Sequence, residues 1–206
     1  MPEFRKLIEG YQRFRDDEYR HERERWDALA EGQEPPVMII ACCDSRVDPA
    51  TIFDTRPGQA FVLRNVANLV PPFETGGGFH GASAAIEFGV SGLGVRHIVV
   101  MGHGACGGIK AALEGPNTGS GTGFVDSWIS ILNGPRERVL ADDGIADKQT
   151  ALELAAVRTS LTNLRSFPFV AQREAAAELS LHGCHFSIAE GRLVVLDEAE
   201  DCFRPA

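Results

Sequence analysis

The chain has 206 residues, 44% hydrophobic and 24% charged, the make-up of a single globular domain with a sizeable core. A formal net charge of -9 removes any general attraction to phosphate backbones or anionic lipid, so neither nucleic acid nor a membrane surface is an expected partner. No apolar run approaches the roughly 20 residues that span a bilayer. Met1 to Lys6 lack a secretory apolar core, and five cysteines are too few for a disulfide scaffold, so a soluble cytoplasmic protein with free thiols is expected.

Residues 3–31 are dense in Glu, Arg and Asp, while Phe4, Leu7, Ile8, Tyr11, Phe14 and Tyr19 recur mostly at steps of three and four. That spacing predicts an amphipathic helical arm with a narrow apolar stripe, ended by Gly32 and Pro35-Pro36 and packed on its own domain or on a partner subunit. Three short apolar runs follow, at 37–41, 60–63 and 97–101. Each is β-branched or bulky, lacks strict alternation and is bounded by Gly, Pro or Asp, as strands buried on both faces of a parallel sheet are. Between the second and third, the small residues of 81–90 suit a tightly packed helix. The stretch 114–123, rich in Gly, Pro, Asn, Thr and Ser, reads as a loop. Residues 147–165 and 168–181 are Ala-, Leu- and Glu-rich and predict two helices, with Pro168 at a helix start. His185 to Leu196 predicts a hairpin turning at Glu190-Gly191. The expected fold is therefore α/β: a mainly parallel central sheet flanked by helices, with an N-terminal helical arm (1–33) and a C-terminal edge hairpin, in one domain over 1–206 whose core is 34–206.

The first strand runs directly into Cys42-Cys43-Asp44-Ser45-Arg46, and the third into Gly102-His103-Gly104-Ala105-Cys106-Gly107-Gly108. Both lie just past carboxyl ends of predicted strands, where open α/β sheets place their ligand sites. Thiolate and imidazole are donors that zinc prefers. His103 and Cys106, three apart on a Gly-rich turn, can face one ion, and Cys42 supplies a third ligand from a neighbouring strand. Three protein ligands leave a position open for water, whose pKa zinc lowers towards neutrality. Two thiolates make the metal a weaker Lewis acid, so something must aim the resulting zinc-bound hydroxide. Asp44 can accept its proton in a hydrogen bond, and an ion pair with Arg46 keeps Asp44 ionised and off the metal.

A closed structural site, with Asp44 or Cys43 as fourth ligand, is the alternative for the same residues. Cys43, adjacent to Cys42 in an extended strand, should point the other way and is assigned to structure. Cys184 and Cys202 have no paired spacing. His80, His97, His182 and His185 are assigned to surface or packing. A redox pair at Cys42-Cys43 is disfavoured, since adjacent cysteines form strained bridges.

Cys42-x-Asp44-Ser45-Arg46 together with His103-x-x-Cys106-Gly107-Gly108, about sixty residues apart, resembles the paired signature of the β-class carbonic anhydrases. The likeness runs from about residue 33 to residue 170, takes in 57–68, 81–90 and 166–170, and looks closest to the plant-like branch. The resemblance implies zinc, one per chain, on Cys42, His103 and Cys106, with Asp44 and Arg46 as the catalytic dyad. It implies a substrate pocket lined by Gln33, Phe61, Val66, Phe88 and the Gly107 N–H. Phe88 stands where plant-like members usually carry Tyr, which makes the pocket drier. On their residues alone, Phe61, Val66 and Phe88 read as core packing. The family's active site lies at a dimer interface embraced by N-terminal helices, so a homodimer or homotetramer is expected. A second branch has a Trp three residues before the first zinc cysteine and an inhibitory bicarbonate site; Ile39 stands there, so an open, water-bound metal near neutral pH is expected. Reversible hydration of carbon dioxide to bicarbonate and a proton is the implied activity. Hydrolysis of carbonyl sulfide or carbon disulfide, and a non-catalytic zinc-stabilised scaffold, are the alternatives.

Overall fold

Each of the three apolar runs forms a strand, and all three are parallel. The protein is described here by a computed structural model covering residues 1–76, 78–115 and 121–206, in two units, Met1–Glu34 and Pro35–Ala206. In the larger unit, strands β1 (Val37–Cys42), β2 (Ala60–Asn65), β3 (His97–His103), β4 (Ser180–Ser187), β5 (Arg192–Asp197) and β6 (Cys202–Pro205) form one sheet in the order β2-β1-β3-β4-β5-β6. The first four in that order run parallel, and β5 and β6 are antiparallel additions.

Both faces of the sheet are covered, which is why β1 and β3 carry no polar alternation. Ile39, Ala41 and Met101 face one core, with Ile109 of α6 (Gly107–Glu114), Ile129 of α7 (Phe124–Ile129), Val139 of α8 (Asn133–Ala141) and Leu152 of α9 (Lys148–Leu164). Met38, Ile40, Ile98 and Val100 face the other, with Ile86 of α5 (Gly81–Glu87), Leu161 of α9 and Val170 of α10 (Pro168–Ala175). A short α4 (Pro49–Ile52), capped by Asp48, follows β1. Each fully buried aliphatic side chain contributes about 1.5–3 kcal/mol. A sheet so filled can carry non-glycine residues at positive φ, each costing about 1–3 kcal/mol, in the loops at its carboxyl end.

Helix α9 lies close on β3 and β4 because Gly102 and Gly183 present no side chain to it. A Cβ on Gly183 would sit 2.8 Å from Val157 Cγ1 and 3.0 Å from Leu161 Cδ1. Gly183→Ala is expected to lower stability by about 1–3 kcal/mol, the usual cost of over-packing, read from chemical denaturation.

Several expectations are refined. The helix expected over 168–181 stops at Ala175, and Ser180 opens β4. Ala177 turns left-handed at φ 57, and the Glu178 and Leu179 N–H groups both donate to the Arg173 carbonyl. The overlooked signal is the alternation of buried Leu179, Leu181 and Gly183 with exposed Ser180 and His182. The hairpin at Glu190-Gly191 is present, but β4 is an inner strand and β6 forms the sheet edge. Helix α8 arises where the sequence has little amphipathic contrast, and the short α7 precedes it. The segment 81–90 is α5 followed by one π-type turn, Phe88–Gly92. Half of the loop expected at 114–123, residues 116–120, lies outside the described residues.

The N-terminal unit is three helices rather than one: α1 (Pro2–Asp16), α2 (Glu18–His21) and α3 (Arg23–Glu31), broken at Asp17 and Glu22. The breaks gather Phe14, Tyr19 and Trp26 into an aromatic cluster with ring centroids 5.3–6.1 Å apart. Phe4, Leu7, Ile8 and Tyr11 remain exposed.

Candidate metal centre

The ends of neighbouring strands β1 and β3 bring three donors together. Cys42 Sγ, the His103 ring and Cys106 Sγ are all buried, with ligand atoms within 4.8 Å of one another. The two sulfurs are 3.9 Å apart. His103 Nδ1–H donates to the Gly104 carbonyl at 3.0 Å, leaving Nε2 buried without a partner among the described residues. A buried ring nitrogen is rarely left so, unless it is a ligand or a lone pair awaits one.

The electrostatics of the sulfurs point the same way. The hydrogen bond from Cys106 lowers the Cys42 thiol to about 4 against the opposing effect of burial, helped by His103 and by the N–H groups of Asp44 and Ala67. Cys106 is pushed far up by the same pairing and by burial. Two sulfurs this close cannot both ionise without a cation between them. The set N, S, S therefore fits zinc, and Cys42, His103 and Cys106 are the residues that would hold it.

Beside this cluster, Asp44 and Arg46 form the two-pronged pair expected from their spacing. Arg46 Nε donates to Oδ1 at 2.9 Å and Nη2 to Oδ2 at 2.7 Å, while the Arg46 N–H also donates to Oδ1. The Arg46 hydrogen bonds hold the Asp44 carboxyl well below the usual carboxylate range. Asp44 Oδ2 lies 4.0 Å from His103 Nε2, so the carboxylate sits at the donor cluster rather than apart from it. Arg46 Nη2 also donates to the Ala105 carbonyl at 3.0 Å, linking the two loops.

Local backbone shape follows from these contacts. Ala67 (φ 63), Asn68 (φ 49) and Ala105 (φ 54) adopt left-handed conformations at the site. Gly108 is needed for close approach, since a Cβ there would meet Val66 Cγ1 at 2.8 Å and Ala67 Cβ at 3.0 Å. Val66 is thus held against the start of α6, with its carbonyl accepting from Trp128 Nε1 at 2.8 Å. Gly107 faces open space.

Of the expected pocket residues, Val66 and Gly107 therefore adjoin the donor cluster. Phe61 and Phe88 pair with each other, ring centroids 5.8 Å apart, and Phe61 packs against the core on the other sheet face. Phe88 is 53% exposed. Gln33 belongs to the N-terminal unit. Cys43 is exposed and outside the cluster; Cys184 is a buried thiol that burial pushes up to about 12.

Two supporting residues escaped the sequence reading. Arg64 of β2 donates to the carbonyls of Cys42 at 2.9 Å and Asp44 at 2.7 Å and pairs with Asp48, so one guanidinium ties down the loop that carries a ligand and the dyad. Glu153 of α9 is buried and accepts the Cys106 N–H at 3.0 Å. Its signal was a carboxylate within the otherwise uncharged buried stripe of Val157, Ser160, Leu161 and Leu164.

The model of the carbonic anhydrase family matches residues 37–193, which takes in every residue of the cluster and the dyad. Beta carbonic anhydrase 3 of Arabidopsis thaliana is 35% identical over 191 residues, 90% of this chain and 74% of that protein. The chain belongs to the β-carbonic anhydrase family. A carbonic anhydrase of Synechocystis is 33% identical over 195 residues, covering 93% of this chain and 70% of that one. Among solved structures, the β-carbonic anhydrase CcaA superposes with a TM-score of 0.93 at 31% identity, covering all of this chain and 93% of its own. A tetrameric β-carbonic anhydrase from Sordaria macrospora gives 0.82 at 29% identity, covering 99% of this chain and 100% of that one. As a β-carbonic anhydrase the chain is an enzyme, and its Cys-His-Cys cluster fits the zinc of that family. No helix among the described residues is long and apolar enough to cross a membrane.

Proposed function

We propose that this chain interconverts carbon dioxide and bicarbonate, releasing one proton per hydration, with one zinc ion per chain on Cys42, His103 and Cys106. The observation that carries this reading is the Asp44–Arg46 pair beside three buried donors, because a purely structural metal site has no use for a fixed carboxylate next to an open position. Zinc supplies the Lewis acidity that makes water a nucleophile near neutral pH. Asp44, kept ionised by Arg46, accepts the proton of the attacking oxygen in a hydrogen bond and turns a lone pair towards the substrate carbon. Arg46 also occupies both carboxylate oxygens, which keeps Asp44 from serving as a fourth ligand. The Gly107 N–H and the Val66 side chain offer one donor and one apolar wall to a small, uncharged substrate. Buried Ile39 in place of a Trp is in keeping with an open site.

Phe61, Phe88 and Gln33 complete the pocket in this proposal from a second copy of the chain, in a homodimer or a tetramer. Phe88 is exposed enough to meet a partner, and the N-terminal apolar stripe is free to embrace one. The five free thiols suit a reducing compartment, and we place the enzyme in the cytoplasm. None of the relatives described favours a sulfur-containing substrate.

Stopped-flow hydration and metal analysis of the same purified sample, with carbonyl sulfide assayed in parallel, test the proposal. The expected result is one zinc per chain and turnover of carbon dioxide well above that of carbonyl sulfide. A zinc-loaded protein that turns over neither would reduce the site to a structural one.

A further inference from the structure

Cys106 is held at both ends of its peptide unit by the same helix. Its N–H donates to Glu153 Oε1 at 3.0 Å, and its carbonyl accepts from Gln149 Nε2 at 3.1 Å. Gln149 Nε2 also donates to Glu153 Oε1 at 2.7 Å, closing a ring of hydrogen bonds between two α9 residues one turn apart and the ligand's backbone. The second oxygen, Glu153 Oε2, is 2.9 Å from His185 Nε2 on β4. Both partners are buried, Glu153 at 2% and His185 at 6% exposure.

A buried carboxylate is costly unless every lone pair is engaged, and a helix lying over this sheet would be filled more stably by an apolar residue. Its position against one zinc-ligand candidate accounts for its presence. Ala105, just before Cys106, is in a strained left-handed conformation, and Cys106 caps α6 without a side-chain hydrogen bond. The direction of its sulfur depends on main-chain torsions that the Arg46 bond to the Ala105 carbonyl and the Lys110 N–H bond to the Cys106 carbonyl fix only in part. Glu153 and Gln149 fix them from outside.

We propose that Glu153, braced by Gln149 and His185, is a positioning residue for the metal: it aims Cys106 Sγ through the main chain. Outer partners of metal ligands commonly control about 10–100-fold of metal affinity. The inference rests on zinc binding at the Cys42–His103–Cys106 cluster, and failure of that reading would appear separately, as a wild-type protein without zinc.

The test is chelator competition on the zinc-loaded enzyme, with absorption of the cobalt-substituted form as a second readout. Glu153→Leu leaves the Cys106 N–H buried and unpaired; it should weaken zinc by about 10–100-fold and alter the sulfur-to-cobalt band. Glu153→Gln retains an acceptor for the Cys106 N–H and should restore affinity close to wild type. Gln149→Leu, at the partly exposed end of the ring, provides the same reading with less risk to folding and should also loosen zinc. Val170→Ala, in the opposite core, is the control: it lowers stability and should leave zinc affinity unchanged. Wild-type affinity and an unchanged cobalt spectrum in both leucine variants overturn the proposal. So does equal zinc loosening in Val170→Ala, which would make the effect one of general softening.

Discussion

Asp44→Ala is expected to lose carbon dioxide hydration by about 10²–10⁴-fold while keeping its zinc, the range typical for removing a positioned proton acceptor. The reason lies in what Asp44 touches. Its two oxygens are taken by Arg46 at 2.9 and 2.7 Å, and one of them lies 4.0 Å from the unpartnered His103 nitrogen. Alanine removes the acceptor for the nucleophile's proton without removing any donor atom of the cluster. Arg46 keeps its bond to the Ala105 carbonyl, so the two loops stay linked. Metal analysis and stopped-flow hydration on one sample separate the two effects. Unchanged turnover would remove Asp44 from the mechanism.

The opposite pattern is expected at the donors. Cys42→Ala, or His103→Ala, should cost more zinc affinity than the roughly 10–100-fold controlled by outer partners, and activity should fall with metal content. Two donors in a buried site cannot hold the ion with three-point geometry. His103→Ala has a further consequence. The buried nitrogen that lacks a partner disappears, so the variant has less reason to be unstable as the metal-free protein than wild type has. Melting with and without added zinc checks this: wild type should gain stability from the metal, and the variant should not. A fully active, zinc-loaded Cys42→Ala or His103→Ala protein would contradict the ligand assignment.

How much of this could be read from residues depends on distance along the chain. Strands β1, β2 and β3 were legible because burial on both faces leaves an uninterrupted apolar run, and the donors were legible because each sits directly after such a run. The dyad was legible because only Ser45 separates Asp44 from Arg46. Glu153 stood out only as a lone carboxylate in a buried stripe, and its partner Cys106 lies 47 positions away, beyond the reach of local sequence. Arg64 likewise grips carbonyls some twenty residues earlier, and carbonyls carry no sequence signal. The start of strand β4 was lost to its Ala-rich preamble, where helix propensity in 168–176 outweighed the alternation from Leu179 onward, although its end from His185 was read as the first arm of the hairpin. The N-terminal stripe gave the right period but not its two breaks, which answer to the packing of Phe14, Tyr19 and Trp26.

Cys106 is the residue from which α6 springs, so the ligand stands at that helix's amino terminus. Peptide dipoles at an amino terminus favour an anion and draw electron density towards themselves. A thiolate so placed lends less of its charge to any ion it binds. The drawback of sulfur ligation, a metal left too electron-rich to acidify water, is thereby moderated by the helix that grows out of the ligand.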